Sequence, residues 1–227
     1  MQKLALYDFC DTLVSFQTAD AFVDYVRKRD GNLYMRFLNN ILLACSKARV
    51  IAVLNKLFPG KSFSKKFKLL QLRGLKFETL DKRAESYYRE MIKPNLIMPV
   101  ISDMQEHAQQ DYEVCIVSAG YSIYLKYFAE DYRLKHIIST EIAFEHHGER
   151  CLGTFSGRDC LHLEKVNRLK AYFSKQNVNF NESISYSDSK TDLPMLLLTG
   201  KGVVVSRAKT QSWRHQYKFK EIIWNLK

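Results

Sequence analysis

The run Leu4-Ala5-Leu6-Tyr7 is apolar throughout and stops on Asp8. A short, continuous apolar run of this kind reads as a strand buried on both faces, and such strands belong to parallel sheets covered by helices on each side. A carboxylate at the end of that strand stands at the sheet edge where open α/β folds build their sites. A fixed aspartate beside a metal can act as a nucleophile. One acid therefore constrains both the architecture and the place of any chemistry.

The rest of the chain continues the theme. Strands are expected over 114–117, ending on Ser118, over 136–139, over 183–186, ending on Ser187-Asp188, and over 202–205. Helical spacing covers 96–109 and 121–130, then begins again at Lys165, with Val166, Leu169 and Phe173 on one side. A last helix is expected to run toward Trp224, and 141–155, centred on Gly148, reads as a hairpin. Strands alternating with helices predict an α/β fold: a Rossmann-like, three-layer αβα core around a parallel sheet. From Phe16 to Glu90 the pattern is helical, broken at Gly31, Pro59-Gly60 and Gly74, with Thr18 as the cap of a first helix carrying Phe22, Val23 and Val26. The expected organisation is a catalytic core from 1–15 and 91–227, with an α-helical cap at 16–90 inserted after the first strand.

Charge is distributed unevenly. The 227 residues carry a formal net charge of +11, yet no acid occurs from Gly31 to Phe77, where ten Lys and Arg residues lie, among them Arg36, Lys47, Arg49, Lys56, Lys61, Lys65, Lys68 and Arg73. This bias implies an anionic partner. Nucleic acid is not expected, because no binding motif accompanies the charge. Apolar and basic residues interleave here, which suits a membrane surface; ordinary helix packing is the competing reading. Five cysteines without a CxxC pair argue against a disulfide scaffold and a structural zinc. With no signal-like start, the expected location is cytoplasmic, peripheral to the inner face of the membrane if the basic segment binds lipid. His146-His147 read as solvated loop residues, and Cys160 and His162 face apart on a helix.

Three strand ends terminate on polar groups: Asp8, Ser118 and Asp188. In a parallel sheet these ends share one edge. Asp8 and Asp188 together make a hard oxygen site suited to Mg²⁺. Ser118 can hydrogen-bond a phosphate oxygen, with the amides of Ala119 and Gly120 following at a helix start, and Lys165 can neutralise charge on phosphate or on Asp8. Phosphoryl transfer needs mostly positioning and electrostatics, which this set supplies.

These residues carry a resemblance. DFCDTL (from Asp8), VCIVSAGYSIYL (from Val114), HLEKVNRLK (around Lys165) and YSDSKTDLPML (with Asp188 and Asp192) follow the order and spacing of four motifs. Over essentially its whole length the chain resembles the haloacid dehalogenase superfamily, in its phosphoserine-phosphatase-like branch with a helical cap after the first strand. The resemblance implies that Asp8 is the nucleophile, forming an aspartyl-phosphate. Asp8, Asp188 and the backbone carbonyl of Cys10 would hold Mg²⁺, Asp192 would orient metal-bound water or Lys165, and Ser118 and Lys165 would bind phosphate. The implied activity is Mg²⁺-dependent hydrolysis of a small-molecule, glycan-linked or lipid-linked phosphomonoester. The metal-ligand pattern argues against the metal-free dehalogenases.

Two positions depart from the family pattern. Cys10 stands where the phosphatases carry a second acid, which protonates the leaving oxygen and then activates water. A thiol, with a reference pKa of about 8.5, is a poor substitute. Asp11 is a candidate replacement, or it braces the turn. Gln17 stands where phosphoserine phosphatases use a Glu for the substrate ammonium, and Gln17, Asp20 and Arg73 are candidate substrate contacts. The alternative functions are a catalytically reduced relative that binds phosphorylated ligands or a protein partner, and a phosphotransferase.

Overall fold

The computed structural model describes residues 1–31, 33–47, 50, 53, 57, 63–145 and 148–225. The apolar run forms β1 (Lys3–Tyr7), the middle strand of a seven-stranded sheet. β2 (Tyr112–Tyr121) and β5 (Ile184–Ser187) flank it, both parallel. Beyond β2 come β3 (His136–Phe144), parallel, and β4 (Cys151–Ser156), antiparallel. Beyond β5 come β6 (Lys201–Arg207) and β7 (Lys220–Trp224), both parallel.

The period-two alternation of β1 divides the core. Leu4 and Leu6 pack with Val166 and Leu169 of a helix over Leu163–Tyr172. Ala5 and Tyr7 join a larger cluster with Val100 and Ile101 from Met98–Gln109 and Leu125 and Phe128 from Ser122–Tyr132. Helices thus cover both faces of a mostly parallel sheet, and the expected three-layer α/β architecture is what the chain forms.

Between β1 and β2 lie α1 (Thr18–Asp30), α2 (Leu33–Lys47), α3 (Phe63–Leu70) and α4 (Phe77–Tyr87), the last prolonged by a π-helical turn over Tyr88–Ile92. The helices after this segment are, among the described residues, α5 (Met98–Gln109), α6 (Ser122–Tyr132), α7 (Leu163–Tyr172) and the single turn α8 (Leu193–Leu196). Gly31 separates α1 from α2, as expected; the Pro59-Gly60 break lies outside the described residues. Aromatic rings join this segment to the core: Phe22 sits 5.3 Å from both Tyr87 and Tyr124, and Tyr87 donates to the Thr18 carbonyl at 2.8 Å. Among the described residues no helix is long and apolar enough to cross a membrane.

Two expectations are corrected. Thr18 is the first helical residue rather than the cap; Gln17 precedes the helix without a capping bond, and the Thr18 hydroxyl bonds Cys10 and Tyr124 instead. The final helix is absent. A 3₁₀ segment over Ser212–Tyr217 ends at Lys218 in left-handed conformation, and β7 follows. The aromatic spacing that imitates a helix there packs Trp213 and Tyr217 on Phe219, while β-branched Ile222 and Ile223 pair with β6. The hairpin around Gly148, whose φ is +72°, forms as β3 and β4, but His146 and His147 lie outside the described residues.

Because Tyr87 is fully buried and its hydroxyl serves a buried carbonyl, Tyr87→Phe is expected to lower stability by about 1–3 kcal/mol in urea unfolding, with little change in secondary structure.

Candidate active site

Asp8 directly follows β1, and its N–H donates to the Tyr186 carbonyl of β5 at 3.0 Å. Parallel pairing therefore brings Asp8 beside Ser187-Asp188 from the far end of the chain. Lys165, on the first turn of α7, is 2% exposed, and its Nζ lies 2.6 Å from Asp8 Oδ1 and 2.6 Å from Asp192 Oδ2. Ser187 Oγ donates to the same Asp192 oxygen at 2.8 Å. Burial alone would lower the Lys165 amine, but Asp8 and Asp192 reverse this and push it up, so it stays an ammonium. The Asp192 carboxylate is thus engaged by Lys165 and Ser187.

Thr12 ties the two strand-end acids together. Its Oγ1 lies 3.3 Å from Asp8 Oδ2 and from Asp188 Oδ1, and accepts the Asp188 N–H at 2.9 Å. Burial lifts the Asp8 carboxyl above its ordinary range against the pull of Lys165. Burial, then Asp8, Asp11 and Asp192, push Asp188 up to about 8. No cation pairs with Asp188 among the described residues. Several acids thus share one ammonium, and the unbalanced charge sits on hard oxygen donors, which suits a divalent cation such as Mg²⁺. No three His, Cys, Asp or Glu side chains converge as a ready-made site among the described residues. The fit is therefore to the Asp8–Asp188 pair supplemented by backbone oxygen.

β2 carries an irregularity near its C-terminal end. Ser118 and Tyr121 pair with the consecutive residues Ser139 and Thr140 of β3, so Ala119 and Gly120 bulge from the ladder. The sequence places these two residues at a helix start; instead they lie in the strand, and α6 begins only at Ser122. The Gly120 N–H donates to Ser118 Oγ at 2.9 Å. A Cβ at Gly120 would stand 2.8 Å from the Tyr124 hydroxyl and 3.2 Å from Ser118 Oγ, so the bulge requires glycine.

Cys10 Sγ lies 3.1 Å from Thr18 Oγ1, which is 2.8 Å from the Tyr124 hydroxyl. Burial, then the charge of Asp8, push its thiol up to about 12. Asp11 adopts φ +55°, a left-handed conformation that Asp tolerates in turns, and Gln17 Nε2 donates to its Oδ2 at 2.6 Å. Gln17 is thus brought to the site edge through Asp11. Asp20 pairs with Lys68, and Arg73 is exposed beside Gly153 of β4, without a bond to the cluster among the described residues. Arg49, Lys56 and Lys61 lie outside the described residues.

Sequence reasoning missed Lys65. From α3 its Nζ reaches the Ala119 carbonyl and Asp159 Oδ1, each at 2.5 Å, and Thr140 Oγ1 donates to that same carboxylate oxygen at 2.6 Å. Burial lowers its pKa, against the pull of Asp159. Ten cations in an acid-free stretch hid this inward-turning one, because its partner lies far along the chain on the loop after β4.

Two outcomes follow. Asp188→Asn is expected to raise the melting temperature of the metal-free protein by several degrees at pH 8. The folded chain holds there a proton that the unfolded chain lacks, so native stability falls as pH rises toward about 8, and the neutral amide recovers it. Asp159→Asn leaves Lys65 buried without its carboxylate and is expected to cost about 3–5 kcal/mol in denaturant unfolding.

The model of the haloacid dehalogenase-like hydrolases matches residues 5–197. A histidinol-phosphatase of Neisseria meningitidis serogroup C (strain 8013) is 23% identical over 234 residues, covering 94% of this chain and 97% of that protein. Among solved structures, a protein of unknown function from Bordetella pertussis Tohama I superposes with a TM-score of 0.79 at 20% identity, covering 98% of each chain. A substrate-bound phosphoserine phosphatase superposes with a TM-score of 0.61 at 16% identity, covering 90% of this chain and 86% of that one. With the matched region spanning the strand-end acids and Lys165, this chain belongs to the haloacid dehalogenase-like hydrolase family and has the fold of its phosphoserine-phosphatase-like members.

Proposed function

We propose that this hydrolase is a Mg²⁺-dependent phosphatase acting through an aspartyl-phosphate on Asp8. The observation that carries the reading is Lys165, bonded at once to Asp8 and Asp192, while Asp188 beside them has no cation partner among the described residues. Asp8 attacks the phosphorus of a phosphomonoester, and the P–O bond breaks as the leaving oxygen takes a proton from solvent; water then attacks the phosphorus and gives up a proton to solvent, releasing phosphate and restoring the carboxylate. Lys165 neutralises charge at Asp8 and on the phosphoryl group. Ser118 and the Ala119-Gly120 bulge meet the phosphate oxygens. Asp192 acts through Lys165, whose amine it holds in place. Asp8, Asp188 and the Cys10 carbonyl are the residues that would hold Mg²⁺, which offsets repulsion between the anionic nucleophile and the anionic phosphate.

The substrate class is an anionic phosphomonoester, small, glycan-linked or lipid-linked. The named relatives support the small-molecule end of that range. One observation favours a second reading. A thiol pushed up to about 12 and bonded to Thr18 is no base for water, so the phosphorylated Asp8 persists and can pass its phosphoryl group to another acceptor.

Asp8→Asn is expected to abolish phosphate release across a panel of phosphomonoesters, while Cys10→Asp raises turnover about 10²–10⁴-fold by restoring a general acid–base. Acid-quench trapping of labelled Asp8 separates the two readings: rapid loss of label to water supports hydrolysis, and a long-lived label supports transfer. Absence of hydrolysis and of label in both the wild type and Cys10→Asp overturns the proposal.

A further inference from the structure

Helix α2 is amphipathic in the wrong sense for a helix that only packs on its own protein. Its one fully buried residue is Met35. At i, i+4 and i+8 along the opposite side stand Leu33, Phe37 and Ile41, which are 83%, 64% and 40% exposed. This spacing forms one stripe on a helix surface. Arg36 and Lys47 border it at helical spacing, both exposed and without an ion pair among the described residues. Exposed apolar side chains continue past the helix at Val50, Val53 and Leu57.

The charge around the stripe selects its partner. No acid occurs from Gly31 to Phe77. Two of the inward cations are neutralised, Lys65 by Asp159 and Lys68 by Asp24, but Arg36, Lys47, Lys66, Arg73 and Lys76 remain exposed. A second copy of the chain seated on the stripe would set two such cationic borders against each other. Nucleic acid would match the charge but leave the leucine, phenylalanine and isoleucine in water. A surface that is anionic outside and apolar just beneath satisfies both components.

We propose that α2 is an interfacial anchor: it lies on an anionic lipid surface with Leu33, Phe37 and Ile41 in the acyl boundary and Arg36 and Lys47 among the headgroups. The hydrolase is thereby held at the membrane reversibly. The placement rests on the exposed helix face and its charge, not on the identity of the substrate.

Flotation of the full chain with vesicles tests this. Binding is expected to vesicles of equal parts phosphatidylglycerol and phosphatidylcholine, and not to phosphatidylcholine alone. Neutralising Arg36 or Lys47 (Arg36→Gln, Lys47→Gln) is expected to weaken binding about fivefold per charge. Phe37→Ser is expected to weaken it about tenfold or more through lost apolar burial. All three side chains are exposed, so circular dichroism and turnover of a soluble substrate should not change. The proposal is overturned if the protein fails to float with the anionic vesicles, or if it binds the neutral ones equally. It is also overturned if light scattering shows a dimer that Phe37→Ser dissociates, which would make the stripe an interface between copies.

Discussion

A single buried ammonium holds the catalytic edge together. Lys165 spans Asp8 and Asp192, and without it two carboxylates would face each other out of water, an arrangement that costs several kcal/mol when a buried pair is broken. The lysine reaches this position because α7 packs Val166 and Leu169 against Leu4 and Leu6. Residues 4, 6 and 8 share one face of an extended chain, so the alternation that seats α7 under the strand also turns Asp8 toward that helix. Ser187, next to Tyr186 of the opposite face, turns the same way and reaches Asp192. Core packing and site geometry are thus one constraint.

That coupling explains why so much was legible. A strand buried on both faces can be recognised from its unbroken apolar run, and the polar residue that ends it marks the edge. Asp8 and Asp188 directly follow such strands, and the structure gathers them with Lys165, from the first turn of α7, and Asp192 into one cluster, while β2 runs on past Ser118 to Tyr121. The bonds that long-range pairing makes were not legible. Lys65 looked like any surface lysine, because only the fold brings Asp159 and the Ala119 carbonyl to it. Ala119-Gly120 looked like a helix start, since a bulge depends on the register of the neighbouring strand. The C-terminal aromatics imitated a helix because spacing alone cannot tell a stripe on a helix from rings gathered around Phe219 by a turn.

The same edge carries an electrostatic imbalance. Thr12 draws Asp8 and Asp188 together through hydrogen bonds, while burial and neighbouring carboxylates make that approach unfavourable for the metal-free chain. A fold tolerates such a cluster when the surrounding packing dictates it, and here β1, β2 and β5 are the most enclosed strands of the sheet. The imbalance is net negative, so a bound cation would relieve it.

Cys10 belongs to this balance. An aspartate at position 10 would add another carboxylate beside Asp8, Asp11, Asp188 and Asp192, with Lys165 already shared. The thiol instead stays neutral and uses its sulfur structurally: it accepts the Thr18 N–H at 3.4 Å and meets the Thr18 hydroxyl, which continues to Tyr124. Tyr87 closes the link on the Thr18 carbonyl. Position 10 therefore serves here to join the loop after Asp8 to the start of α1 by uncharged bonds. The gain is a less repulsive edge and a fixed entry into the helical segment. On the proposed reading, the loss is the group that would protonate the leaving oxygen and then activate water, so both steps forgo that acid–base help.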